Sequence, residues 1–251
     1  MKNEINGLMS LMNDSKILYG TDFGDKLLQF TDFFLKTAQT LNLTAIKEPH
    51  EVMIKHYFDS LYPLKFGYFT ENARVIDVGC GGGFPALPVA AALAPGRVTA
   101  LDATAKKLAF VAETAQAAGL TNVDTLCGRA EELGRLPAYR EGFDVAVSRG
   151  VARLNVLAEW SLPLVRPGGL FVAMKGPRGE EEAAEAANAF AALGGGCVRV
   201  IPYEIPVFGR TPDAQPPADR RRKKGGHAGY VSAPERENYE KAAVTRFPER
   251  L

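Results

Sequence analysis

The sequence predicts an α/β fold, a doubly wound and mostly parallel sheet with an N-terminal helical extension. Three observations predict it. Short apolar runs recur from Arg74 onward and alternate with segments of helical period, the pattern of a sheet covered on both faces. A glycine-rich turn, Gly79-Cys80-Gly81-Gly82-Gly83, leaves the first of these runs and enters a helix. Before Arg74 the apolar residues return at threes and fours instead, which is helical spacing.

Residues 1 to about 20 are polar with scattered apolar positions, a weak first helix. From Asp25, the positions Leu27, Leu28, Phe30, Phe33, Phe34, Ala38 and Leu41 mark an amphipathic helix. Thr44 to Pro49 has turn chemistry, Glu51 to Leu61 returns to helical period, and Pro63 to Asn72 reads as a linker. Strand, loop and helix then alternate. "RVIDVG" is a strand, "ALPVAAALA" a helix, and "RVTALD" a second strand. "AKKLAFVAETAQAAG" is a helix whose Gly119 suits a C-terminal cap. "NVDTLCG" and "FDVAVSR" are strands, "LNVLAEWSLPLV" a helix, "RPGG" a turn and "LFVAMKG" a fifth strand. The alanine-rich helix "EEEAAEAANAFAALGGG" carries acids in its first turn, where the helix dipole favours them. "CVRVIPYEI" is a sixth strand. Three regions follow: a helical region over 1–70, an α/β domain over 71–208, and a proline-rich, basic segment over 209–251 that is partly disordered and shows no clear closing strand.

Bulk composition narrows the class. The 251 residues are 46% hydrophobic and 24% charged, with a net charge of +1. That excludes a polycation, so nucleic-acid contact would depend on local patches. Cys80, Cys127 and Cys197 have no C-x-x-C spacing and cannot all pair, which suits reduced thiols and argues against a structural metal site. The opening "MKNEINGLMSLMND" is too polar for a signal peptide, and no apolar stretch reaches the ~18 residues of a membrane span. These features point to a soluble, cytoplasmic protein.

The glycine loop raises the chemical question. In a doubly wound sheet, ligands bind at the carboxyl ends of the strands, near the point where strand order reverses. The dinucleotide fingerprint G-x-G-x-x-G fails here because Phe84 stands where the third glycine belongs. That substitution argues against a nicotinamide oxidoreductase. Asp77 lies inside the first strand, and Asp102 ends the second about twenty residues on, where a ribose diol would lie. Each has a purely structural alternative, Asp77 as a buried cap and Asp102 as a helix N-cap. An acid in the first strand, a glycine loop including Gly79 and Gly81, and an acid after the second strand together suit S-adenosylmethionine. That ligand has no phosphate to cradle.

Five segments occur in order: "NLTAIKEPHEVMIKHYFDSL", "VIDVGCGGGFPALPVA", "LDATAKKLAFV", "GRAEEL" and "VSRGVARLNVLAEW…LVRPGGLFVAMKG". Together, over roughly residues 25 to 205, they resemble the bacterial glucose-inhibited division protein B family. The resemblance implies a class I S-adenosylmethionine-dependent methyltransferase with a Rossmann-like sheet. It implies methylation at N7 of a guanosine in 16S ribosomal RNA, guanine 527 in the 530 loop, with the small ribosomal subunit as partner; the enzyme is expected to be a monomer. It also implies roles for particular residues. Gly79 and Phe84 line the cofactor, Asp102 meets the ribose, Ala130 and Glu131 flank the adenine, and Arg149 faces the methionine end or the incoming RNA.

Methylation at N7 needs no general base, because that ring nitrogen carries no proton. The sequence agrees with this. "SRGVA" stands after the fourth strand, where exocyclic-amine methyltransferases place an Asn/Asp-Pro-Pro-aromatic tetrapeptide, and no Pro-Cys pair offers a thiolate for cytosine chemistry. His50 and His56 have no evident catalytic partner, and His56 with Asp59 is expected to fix the junction between helical region and sheet. The cations Lys55, Arg149, Arg153, Lys175 and Arg178 lie around the cofactor mouth and are expected to meet RNA phosphates. "RRRKK", residues 220 to 224, reads equally as an RNA-seeking arm or a solvated segment. Two further readings compete with the RNA enzyme. One is a methyltransferase acting on another RNA, a protein or a small molecule, and the other a non-catalytic RNA-binding relative with poor affinity for the cofactor.

Overall fold

Seven strands form one sheet in the order β3-β2-β1-β4-β5-β7-β6. The computed structural model describes residues 1–37, 48–70, 72–93, 96–205 and the backbone of 226–230. The parallel part runs through β1 (Arg74–Val78), β2 (Arg97–Asp102), β3 (Val123–Cys127), β4 (Phe143–Arg149) and β5 (Val165–Lys175). β6 (Val200–Glu204) and β7 (Gly226–Tyr230) complete it, with β7 antiparallel to both its neighbours. The strand that closes the sheet therefore comes from "GHAGY", a stretch with no strand pattern of its own. Of the segment 209–251 expected to be partly disordered and without a clear closing strand, only Gly226–Tyr230 fall among the described residues, and they form this strand.

Alternation along the strands divides the core in two. On one face Val75, Val145, Val147, Leu170 and Val172 meet α5 (Ala86–Ala92), α6 (Ala105–Ala117) and the N-terminal helices. On the other, Ile76, Val78, Ala146, Phe171 and Ala173 meet α7 (Ala130–Leu133), α8 (Leu154–Ser161) and α9 (Gly179–Ala192). The N-terminal helices α1 (Lys2–Asp14) and α2 (Phe23–Thr37) share the first core with the sheet rather than forming one of their own. Positions Ala38 and Leu41 of the expected helix, and the start of the expected turn at Thr44, lie outside the described residues.

The segment after Pro49 is helical as expected, but it changes winding. A short α-turn, α3 (Pro49–Val52), passes into a π-helix over Met53–Phe58, then α4 (Asp59–Leu61) and a 3-10 turn over Tyr62–Phe66. Pro63 and Leu64, placed in a linker by the sequence, are buried in that last turn. α6 ends as its glycine suggests: Gly119 has φ +64°, its amide reaches the Gln116 carbonyl, and the Leu120 amide reaches that of Ala115.

The "RPGG" stretch is not a turn before a strand. It is a bulge within β5, because Phe143 pairs with Val165 and Val145 with Leu170, leaving Arg166 to Gly169 opposite Asp144 alone. Asp144 of β4 accepts from the Arg74 amide of β1 at 2.8 Å and from Arg166 Nε in the bulge at 2.5 Å, which ties the bulge to β4.

Candidate functional site

Strand order reverses between β1 and β4, so their carboxyl ends open the crevice where doubly wound sheets bind ligands. Gly79 follows β1 and Arg149 ends β4, one on each side of it.

The β1 side is built from backbone amides. The amides of Gly79 and Cys80 both donate to the Leu101 carbonyl, at 2.8 and 2.9 Å, which leans the glycine loop on β2. Asp102 completes the arrangement. One carboxylate oxygen accepts the Gly81 amide at 3.1 Å and the other the Thr104 amide at 2.9 Å, with Lys107 Nζ 3.6 Å away. Its structural alternative, an acceptor at the start of α6, is met at the Thr104 amide, and the same carboxylate also holds the glycine loop through Gly81. Gly81 has φ +55°, and a Cβ there would meet nothing within 4 Å. The backbone at this point faces open space.

Asp77 lies beneath the loop, fully buried. One oxygen accepts the Ala86 amide at 2.9 Å, capping α5, and the other has no hydrogen-bond partner. Burial pushes its carboxyl up to about 7, against the opposing pull of the Ala86 amide and Arg149. Cys80 is buried too, and its thiol is pushed strongly upward by burial and by the acids Asp77 and Asp102, so no thiolate forms there.

The β4 side is built from side chains. Arg149 shares the alternation phase of Val145 and Val147 and so projects toward the N-terminal helices. Its guanidinium lies 2.9 Å from Asp59 Oδ2 and 3.1 Å from His56 Nδ1, and donates to the carbonyls of Lys55 and His56 at 3.1 and 3.4 Å. The passage from the π-helix into α4 puts residue 59 on the same side of the segment as 55 and 56, three to four positions after them. An arginine offers only donors, so His56 Nδ1 accepts and the ring is neutral. Burial, then Arg149 and Lys55, lower the His56 pKa to about 3. Asp59, nearly fully buried, also accepts from the Tyr203 hydroxyl at 2.5 Å, tying β6 to the same knot. The junction expected of His56 and Asp59 is therefore present, with Arg149 at its centre.

Phe84 is not an open wall of the crevice. Its ring stacks on His56 at 4.6 Å, lies under Arg149 at 5.5 Å, and packs among Phe30, Phe34 and Tyr57. The bulky residue in place of the third glycine thus anchors the N-terminal helices to the loop. Sequence reasoning missed Tyr203 and Thr31, whose hydroxyl lies 2.9 Å from that of Tyr57 inside this cluster. Neither position carries a local signal, because each partner is remote in the chain.

The remaining expected residues scatter. Ala130 is buried at the start of α7, at the sheet's carboxyl edge after β3. Glu131 beside it lines a cavity of about 210 Å³ with Arg135, Arg140 and Glu159 on the α8 flank. Lys55, Arg153 and Arg178 are half or more exposed, but each pairs with an acid: Glu51, Glu185 and Glu181 respectively. Lys175 departs from the expectation of a phosphate contact. Its side chain is 8% exposed, donates to the Ala152 carbonyl at 2.6 Å, and lies 2.7 Å from Glu182. It has the alternation phase of Phe171 and Ala173, which turns it inward under α9. The "RRRKK" cluster lies outside the described residues. Among the described residues, no helix is long and apolar enough to cross a membrane, and no group of three or more His, Cys, Asp or Glu side chains could hold a metal ion.

The crevice fits S-adenosylmethionine. The open backbone at Gly81 admits a ligand at close range, and Asp102 stands fixed at the rim. The orphaned Asp77 oxygen is a carboxyl atom under the loop with no hydrogen-bond partner of its own.

The model of the rRNA small subunit methyltransferase G family matches residues 24–203. The chain belongs to that family. A ribosomal RNA small subunit methyltransferase G from Alkaliphilus oremlandii is 40% identical over 206 residues, covering 82% of this chain and 83% of the relative. Its namesake in Deinococcus radiodurans is 46% identical over 171 residues, 68% of each chain. Among solved structures, an S-adenosylmethionine-dependent O-methyltransferase from Thermotoga maritima matches with a TM-score of 0.55 at 17% identity, covering 87% of this chain and 72% of that one. At that identity the likeness concerns the fold, which is that of class I S-adenosylmethionine-dependent methyltransferases.

Proposed function

We propose that this family member transfers a methyl group from S-adenosylmethionine to N7 of a guanosine in 16S ribosomal RNA, guanine 527 of the 530 loop, as a cytoplasmic monomer acting on the small subunit. The observation that carries the reading is the Gly81–Asp102 cradle at the switch point of the sheet, in a chain of this family.

When bound, S-adenosylmethionine supplies an electrophilic sulfonium methyl. The residues around it have to orient and exclude water rather than move a proton, since guanine N7 already presents a lone pair. Holding nucleophile and methyl in line is worth on the order of 7–11 kcal/mol. The site is arranged for that task. Asp102 fixes the glycine loop and offers its carboxylate edge to the ribose, while Asp77 faces the positive end of the cofactor from beneath. Arg149 is held rigid on the other wall. The titratable groups that could serve as bases are unsuited: His56 spends its lone pair on Arg149, and the Cys80 thiol stays protonated. Lys55, Arg153 and Arg178 serve RNA phosphates by exchanging their acidic partners for them, which gives attraction without sequence reading. Specificity for one guanine then comes from RNA shape and a splayed base.

The test is a mass-spectrometric map of methylated nucleotides in 16S RNA and in small subunits incubated with enzyme and cofactor. A single 7-methylguanosine in the 530 loop is the expected result. Methylation of a different base, or of protein alone, would remove the assignment.

A further inference from the structure

Between β4 and α8 the chain makes a loop, Gly150 to Arg153, that lies over the glycine loop. Val151 is its contact point: a Cβ built on Gly79 would come within 2.7 Å of Val151 Cγ2, so the valine side chain packs directly on the Gly79 backbone. The valine is nonetheless 38% exposed, an apolar side chain left standing at the mouth. Gly150 before it has φ +66°, and the loop contains no regular structure to hold its shape.

What holds it comes from the opposite side of the sheet. Lys175 Nζ donates to the Ala152 carbonyl, one residue past Val151, and pairs with Glu182 at 2.7 Å. The same Glu182 oxygen accepts the Leu154 amide at 2.9 Å, where α8 begins. One ammonium and one carboxylate therefore fix a carbonyl of the loop and the first amide of the helix it enters. The ammonium is almost wholly withdrawn from solvent, a costly placement unless its bonds are used.

We propose that Lys175 is a positioning residue: with Glu182 it fixes the β4–α8 loop so that Val151 closes over Gly79 and shapes the cofactor end of the crevice. This rests on the S-adenosylmethionine reading of the crevice given above. It differs in kind from binding a phosphate, and the two roles respond differently to salt. Removing one cation that neutralises a phosphate of single-stranded RNA flattens the logarithmic salt dependence of affinity by about 0.7. Removing a residue that holds a loop from within leaves that slope unchanged.

The experiment compares wild type with Lys175→Met, Lys175→Arg and the double variant Lys175→Met/Glu182→Gln, which strands no buried carboxylate. S-adenosylmethionine affinity is measured by calorimetry, turnover on small subunits under saturating RNA, and affinity for 16S RNA transcript across a salt series. Thermal melting identifies the variants that remain folded. The expected result is a cofactor affinity weaker by about tenfold and a kcat lower by up to about a hundredfold, with an unaltered salt slope and partial recovery in Lys175→Arg. A folded double variant that binds cofactor and turns over like wild type overturns the assignment. So does a salt slope flattened by one full phosphate with cofactor affinity intact. Wild type that takes up no cofactor overturns the functional reading and this inference together, whereas wild type that binds, with variants that match it, overturns the loop assignment alone.

Discussion

The two walls of the crevice are built by different means. On the β1–β2 side a single carboxylate, Asp102, organises amides no more than 21 positions away, and the glycine loop needs little from its own side chains. On the β4 side Arg149 is held by groups 90 to 94 positions away, and its main partner Asp59 is in turn bonded to a residue 144 positions distant. The first wall is a local backbone device. The second is a long-range side-chain knot, and it fails as a unit if one member is removed.

The contrast is open to measurement, and the largest effect belongs to the knot. Asp59→Ala strands the Arg149 guanidinium and the Tyr203 hydroxyl in a buried site, and the expected cost is about 3–5 kcal/mol in denaturant unfolding. A loss under about 1 kcal/mol would show that the knot is decoration. Next comes the backbone wall. Asp102→Ala removes the acceptor for two amides and the ribose contact, so S-adenosylmethionine affinity should fall about a hundredfold by calorimetry, equivalent to ~3 kcal/mol. Unchanged affinity would take the ribose away from this carboxylate. Gly81→Ala is smaller: the left-handed backbone costs about 1–2 kcal/mol with a side chain. Because its Cβ enters the space assigned to the cofactor, affinity should drop by more than stability does, and equal losses would mean that the space is not the ligand's.

The remaining contrast is one of pH dependence, and the two walls carry opposite signs. His56 titrates near 3 instead of 6.5, so its contribution to stability is whole above pH 6.5 and is lost as pH falls toward 3. Asp77 titrates near 7 instead of 3.8, so its contribution is whole below pH 3.8 and is lost as pH rises through 7. Melting curves of cofactor-free protein should show His56→Gln gaining on wild type in acid and Asp77→Asn gaining as pH rises toward neutrality. Parallel pH profiles for wild type and either variant would contradict the burial that drives these shifts.

Much of this is legible without a fold. The β1 glycine loop, Asp102 twenty-odd residues later and the alternation of strands with helices are local patterns, and the structure assembles them where the pattern implies. The junction role of His56 and Asp59 is legible as well, from their placement between helical region and sheet. Lys175 and Arg149 are not distinguishable in that way. Both end a strand at the same edge, so both read as cations at the mouth, yet one turns inward under α9 and the other into the N-terminal side of the crevice. Phe84 is expected by resemblance to line the cofactor, and nothing local announces that its ring also bolts the N-terminal helices to the loop.

Local sequence suffices for the parallel sheet, the loop that opens toward a ligand and the acid that fixes it, because period, glycine and strand-end position act over a few residues. Which face each strand-end cation enters was settled by long-range packing. Alternation sets only relative phase within a strand, and the crossovers decide what covers each face. Packing also settled where the sheet closes: "GHAGY" has no apolar alternation to announce a strand, and becomes one between β5 and β6, where backbone groups of both neighbours await partners.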